Sequence, residues 1–113
     1  MPRSLNLLRG TLDGLILKSL AGGELHGYGI VDWVRNVTEG VLDIEDGALY
    51  TALRRMEERG WLRSAWGVSD RGRRAKFYAL TARGRRRLEA EQRDWYRYVE
   101  AVGRVFAADA ERP

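Results

Sequence analysis

Leu12, Leu15, Ile16 and Leu20 recur at helical spacing and predict a first helix, with Thr11 as its N-cap and Gly22-Gly23 as its stop. A second helix is expected from about His26 to Val37, with Ile30, Val34 and Val37 on one stripe. Thr38-Glu39-Gly40 closes it, the glycine acting as the breaker. Val41, Leu42 and Ile44 then lead into Asp46, the expected N-cap of a third helix reaching Arg59 and stopped by Gly60. Within it, Leu49, Leu53 and Met56 form the stripe to be buried. The period then shortens. Two strands are expected, about Leu62–Trp66 and Ala75–Leu80, joined by the polar, turn-rich run from Gly67 to Arg73. Phe77 and Ala79 fall on one side of the second strand, Tyr78 and Leu80 on the other. From Thr81 to about Ala107 the pattern is helical again, with Leu88, Trp95 and Val102 repeating every seven residues beside Gln92, Val99 and Phe106.

Three short, tightly linked helices followed by a charged hairpin are the layout of a winged helix-turn-helix. The expected fold class is therefore mostly α (α+β). Residues 1–80 would form the winged unit, 81–107 a long C-terminal dimerisation helix and 108–113 a flexible tail. The opening Met1–Arg9 reads as a short arm, packed through Leu5, Leu7 and Leu8.

Charge sharpens this picture. Between Arg59 and Arg87 lie ten Lys and Arg residues against Asp70 alone, a local charge of +9 in a chain of only +4. A basic surface concentrated in this way is suited to neutralising phosphates. The exposed side of the third helix carries Gly47, Ala48, Tyr50, Thr51, Arg54 and Arg55, the candidate DNA-reading residues. Tyr50 and Arg54 are four apart in the half that reaches base edges in helix-turn-helix docking. Arginine binds guanine bidentately, and tyrosine donates to phosphate or packs on a thymine methyl. The plain alternative is a solvated helix face. In the hairpin, Arg71, Arg73, Arg74 and Lys76 are the candidates for phosphate or minor-groove contact, against the alternative of a solvated charged loop.

The last helix, about 26 residues at 1.5 Å each, is roughly 39 Å long, more than so small a domain covers. Part of its stripe packs on the first helix and the N-terminal arm. The remainder needs another surface, the simplest being its own copy in a symmetric dimer. Leu88, Gln92, Trp95, Val99, Val102 and Phe106 are the expected interface.

Other chemistry finds little support. The chain has one His and no Cys, which leaves no thiolate metal site, no disulfide and no Ser/His/Asp set. His26, at the start of the second helix, is suited to capping or to the core. Glu89 and Asp94 look like solvated faces rather than an acid/base pair. No cofactor is expected. The run from Leu12 to Leu20 is interrupted by Asp13, Gly14 and Lys18 and is too short to span a bilayer, so the expectation is a soluble, cytoplasmic, non-enzymatic protein without a membrane partner. The competing class is a winged helix serving as a protein-interaction module. The one-sign field argues against it, since protein interfaces tend to deplete charge at their centre.

Together, several stretches resemble the PadR-type winged-helix transcriptional regulators over nearly the whole chain, from Leu7 to about Phe106. They are Leu8-Arg9-Gly10-Thr11-Leu12-Asp13 with Leu15-Ile16-Leu17, His26-Gly27-Tyr28-Gly29-Ile30, and Gly47-Ala48-Leu49-Tyr50 leading to Leu53, Met56-Glu57 and Gly60. The hairpin adds Trp66, Arg73-Arg74-Ala75-Lys76-Phe77-Tyr78, Leu80-Thr81 and Gly84. The resemblance implies a dimeric repressor-type regulator of the short subclass, whose recognition helix and wing bind double-stranded DNA at an inverted-repeat operator. Ala48 stands where the family commonly has a hydroxyl residue, and Thr51 where it commonly has Pro, which puts the operator sequence in doubt. Some relatives bind flat hydrophobic compounds between their C-terminal helices through a tryptophan. Trp95, with Tyr96 and Tyr98, is then the candidate site for a small hydrophobic effector, the alternative being an ordinary aromatic in the seam.

Overall fold

The computed structural model describes residues 10–112; the expected N-terminal arm lies outside them. Four helices and a small sheet follow in the order α1 (Leu12–Ser19), β1 (Leu25–His26), α2 (Gly27–Val37), α3 (Asp46–Glu58), β2 (Leu62–Val68), β3 (Arg74–Leu80) and α4 (Ala82–Ala107). The architecture is the expected winged helix-turn-helix with a long terminal helix, and the differences are local.

α1 ends at Ser19, before the glycine pair, and Thr11 holds a helical rather than an extended backbone at the N-cap. α2 is capped by His26, whose Nδ1 accepts the Gly29 amide at 3.1 Å. The lone histidine thus serves one of the two ordinary roles foreseen for it. Ile30, Val31 and Val34 are buried on α2, whereas Val37, expected on the same stripe, is exposed at the last turn. The N-cap of α3 is Glu45, one residue before the expected Asp46.

Helices α2 and α3 both stop in Schellman geometry, the residue after the cap turning left-handed while two amides return to the last turn. In α3 that residue is Gly60 (φ 78°), with Gly60 N–H donating to Glu57 O and Trp61 N–H to Met56 O. In α2 Glu39 takes that place, with φ 52°, and the expected breaker Gly40 follows it, also left-handed at φ 82°, its N–H donating to Arg35 O at 2.8 Å. A side chain in the left-handed region costs about 1–2 kcal/mol, partly offset by the extra freedom glycine would have in the unfolded chain. Glu39→Gly is therefore expected to stabilise the fold by about 0.5–1 kcal/mol. A denaturant midpoint no higher than that of the parent chain would contradict this.

β3 is the central strand of an antiparallel sheet ordered β1-β3-β2. Leu62 pairs with Leu80 and Val68 with Arg74, so the hairpin strands are each longer than expected and the connecting turn is shorter. β1 was not anticipated; it pairs Leu25 with Tyr78 and His26 with Phe77. Leu62, Tyr78 and Leu80 close one side of the core, whose centre is Ile16, Leu17, Leu20, Ile30, Leu49, Leu53 and Met56.

α4 is fixed to this unit at its first turn. The Thr81 hydroxyl accepts the Gly84 amide at 3.0 Å and donates to Gly60 O at 2.6 Å. The helix backbone runs so close to the chain at Trp61 that Gly84 has no room for a side chain. Arg59 and Arg87 both stack over the Trp61 ring, at 5.4 and 4.7 Å. Leu88 is buried and α1 packs alongside; farther on the helix projects. The radius of gyration of 16.6 Å compares with about 13 Å for a compact domain of this length.

Candidate nucleic-acid interface

The core stripe of α3 leaves an outer face on which Gly47, Ala48, Tyr50, Thr51 and Arg54 are all exposed. Tyr50 leans across the first turn of α2. A Cβ on Gly27 would lie 2.6 Å from its hydroxyl oxygen, so the absent side chain at Gly27 is what lets the ring approach. Partial burial pushes the Tyr50 phenol above its ordinary value, and Asp46 and then Tyr28 add to the shift. Tyr50 therefore remains a neutral O–H donor at physiological pH. Tyr78 of β3 is raised too, by burial and then by Glu57 and Tyr50, with Arg54 opposing. These mutual influences put the α3 face and the middle of β3 in one electrostatic neighbourhood.

Arg55 does not join that face. Its guanidinium forms a two-pronged bond to the Asp13 carboxylate, at 3.2 and 2.5 Å, and the pair is half-buried. Of the residues assigned to the reading face, Arg55 is thus the one whose side chain is turned to α1, where it fixes the orientation of α3.

Lys76 is also partly engaged. Its ammonium lies 3.8 Å from Glu57, which accepts the Ser64 hydroxyl at 2.6 Å. These contacts set the angle between hairpin and helix. The turn is built by Ser69, whose amide donates to Arg73 O at 2.7 Å and whose carbonyl accepts Gly72 N–H at 2.8 Å, with Gly72 at φ 73°. It presents Arg71 and Arg73 to solvent with no acidic partner within salt-bridge distance among the described residues. Arg74 lies over the ring of Trp66, 4.6 Å from its centroid. Trp66 was not among the site residues expected from sequence, although the alternation Leu62, Ser64, Trp66, Val68 places it on the strand face that meets α3.

Along α4, Leu88 is buried and Gln92 and Val102 are half-buried. Trp95 (39%), Val99 (44%) and Phe106 (84%) are exposed. Tyr96 and Tyr98 are exposed as well, the Tyr98 ring 6.2 Å from that of Trp95. In the single chain the seam is therefore covered at its start and, Val102 apart, open beyond it. Among the described residues no group of three His, Asp or Glu could hold a metal ion, and no helix is long and apolar enough to cross a membrane.

Comparison with known proteins gives concordant results. Residues 16–90 match the family described as transcriptional regulator PadR-like. A transcriptional regulator from Clostridium thermocellum superimposes with a TM-score of 0.77 at 27% identity, covering 85% of this chain and 93% of that one. A PadR family transcription regulator from Clostridium difficile R20291 is 32% identical with a TM-score of 0.69, covering 88% of this chain and all of the other. An uncharacterised protein of Lysinibacillus sphaericus is 30% identical over 98 residues, 86% of this chain and 89% of its own.

Proposed function

Because the chain belongs to the PadR-like family of DNA-binding, non-enzymatic transcriptional regulators, we propose that it acts as a homodimeric repressor at an inverted-repeat operator. The observation that carries this reading is the union of two surfaces. The outer face of α3, with Tyr50 and Arg54 exposed, is tied through Glu57 to Ser64 and Lys76 of a hairpin whose Arg71, Arg73 and Arg74 are exposed. α3 would read base edges in the major groove, with Gly47, Ala48 and Thr51 allowing close approach, and the hairpin would hold the flanking backbone. Arg55 serves indirectly, through its bond to Asp13. The open seam on α4 from Trp95 to Phe106 would close against its twofold copy, spacing two recognition helices for two half-sites. A small hydrophobic effector seated at Trp95, Tyr96 and Tyr98 of the paired helices would bias that spacing.

The test is binding to the DNA immediately upstream of the coding sequence, against scrambled duplex, at two salt concentrations. Tight, selective binding of two protomers is expected, weakening by orders of magnitude between about 50 and 200 mM salt. Arg54→Ala should narrow the gap between operator and scrambled DNA by about 1–3 kcal/mol, whereas Arg73→Ala should weaken both equally. An Arg54→Ala protein with undiminished discrimination would remove α3 from the reading role. Salt-insensitive capture of a protein, with no DNA bound, would favour the interaction-module reading instead.

A further inference from the structure

We propose that Trp66 and Arg74 form one stacked unit that grips the deoxyribose–phosphate backbone beside the recognition-helix contact. The inference rests on the DNA-binding reading and adds to it an apolar element that the basic hairpin alone does not imply.

Trp66 is 60% exposed and Val68 69%, near the turn of a hairpin otherwise rich in charge. Neither contributes to the core, which on this sheet face ends with Leu62, Tyr78 and Leu80. They line an open hollow of about 370 Å³ with Gly67, Gly72 and Arg74. The register puts Trp66 opposite Lys76 and Val68 opposite Arg74. Side chains of paired positions share a face in an antiparallel sheet, so Trp66, Val68 and Arg74 lie on the face that Ser64 and Lys76 carry on to α3 through Glu57. This is the side a duplex would meet once α3 had entered its groove.

The Arg74 guanidinium lies over the indole at 4.6 Å and has no acidic partner among the described residues. Contact with the ring restrains the guanidinium, whose N–H groups make no hydrogen bond or ion pair among the described residues, so less freedom is lost when they meet an anion. The nucleic-acid backbone alternates apolar sugar faces with charged phosphates. An exposed indole and valine next to a seated guanidinium offer the same alternation in complementary form. The turn and following strand from Ser69 to Lys76 carry Arg71, Arg73, Arg74 and Lys76 against Asp70 alone, a field suited to a polyanion and unlike the charge-depleted centre of a protein interface.

A backbone contact is independent of sequence, so a 30-base-pair duplex of random sequence at low salt is the probe. Trp66→Ala should weaken binding about tenfold and flatten the dependence on log salt by about 0.9, the share of one phosphate contact, because Arg74 loses its seat. Trp66→Tyr, which keeps a stacking ring, should stay within about threefold of the parent. The double variant Trp66→Ala/Arg74→Ala should lose little more than either single one, as expected for residues acting together. Thermal unfolding of Trp66→Ala should match the parent, since the ring is not in the core. If the parent chain binds the duplex and Trp66→Ala binds with the same affinity and salt slope, the stacked unit has no part in DNA binding. A parent chain that fails to bind overturns the DNA reading itself.

Discussion

Gly84→Ala should abolish or severely impair folding, with a loss of about 3–5 kcal/mol. A Cβ built at this position falls 2.0 Å from the Trp61 carbonyl oxygen and 3.3 Å from Leu80 Cδ2. The carbonyl has no freedom to retreat. It accepts the Thr81 amide at 3.1 Å and lies 3.1 Å from the Thr81 hydroxyl, whose proton is given to Gly60 O, and the next residue, Leu62, begins the β2–β3 pairing. Relief would require α4 to back away, breaking bonds worth about 1 kcal/mol each and adding strain of about 1–3 kcal/mol. Net stabilities of only about 5–15 kcal/mol leave little reserve. Calorimetry should show a melting temperature lower by about 10 °C or more. Gly22→Ala makes a clean comparison, since nothing lies within 4 Å of a Cβ there, and it should move stability by no more than about 0.5 kcal/mol. A Gly84→Ala protein that melts with the parent would mean that the approach to Trp61 is not maintained in solution.

Trp95→Asp should convert the proposed dimer to a monomer. Trp95 is the first seam residue of α4 left open by the single chain, and Val99 and Phe106 beyond it are open too. Twofold pairing would enclose the new carboxylate together with its symmetry mate, and an unpaired buried charge costs several kcal/mol. Each 1.4 kcal/mol is tenfold in affinity, so the dissociation constant should rise at least a hundredfold. Sedimentation would report the change, and circular dichroism would verify that the helix persists. DNA affinity should fall with it, because the second half-site is no longer presented at high effective concentration. Arg97→Asp, about 200° around the helix from Trp95 at 100° per residue, should leave the dimer intact. A Trp95→Asp protein that sediments as a dimer would place the interface elsewhere.

Local pattern made most of the fold legible. The stripe of Leu49, Leu53 and Met56 defined α3, and alternation put Tyr78 and Leu80 together on one side of β3, the side the structure buries, because burial writes itself into spacing. What escaped notice depended on distant partners. β1 is only two residues long and exists because Tyr78 and Phe77 offer it an edge, so it leaves no period to detect. Gly67 read as a turn residue, yet it lies in β2, where a side chain would meet the Phe77 ring at 3.0 Å. Arg55 looked like its neighbour Arg54 because the carboxylate that claims it is 42 positions away. At the end of α2 the breaker Gly40 was legible, whereas the left-handed turn of Glu39 before it leaves no mark in the residue type.

The seam where Thr81, Gly84 and Trp61 meet also sets the angle at which α4 leaves the winged unit. With 26 residues, α4 extends about 39 Å from that point, so each degree of tilt there carries its far end through roughly 0.7 Å. About five degrees would amount to one base-pair step of 3.4 Å. In a dimer clamped along the distal part of α4, the same gearing runs in reverse. A small change in how the two helices cross becomes a change in the distance between reading heads, large enough to bring them into or out of phase with the turns of a duplex.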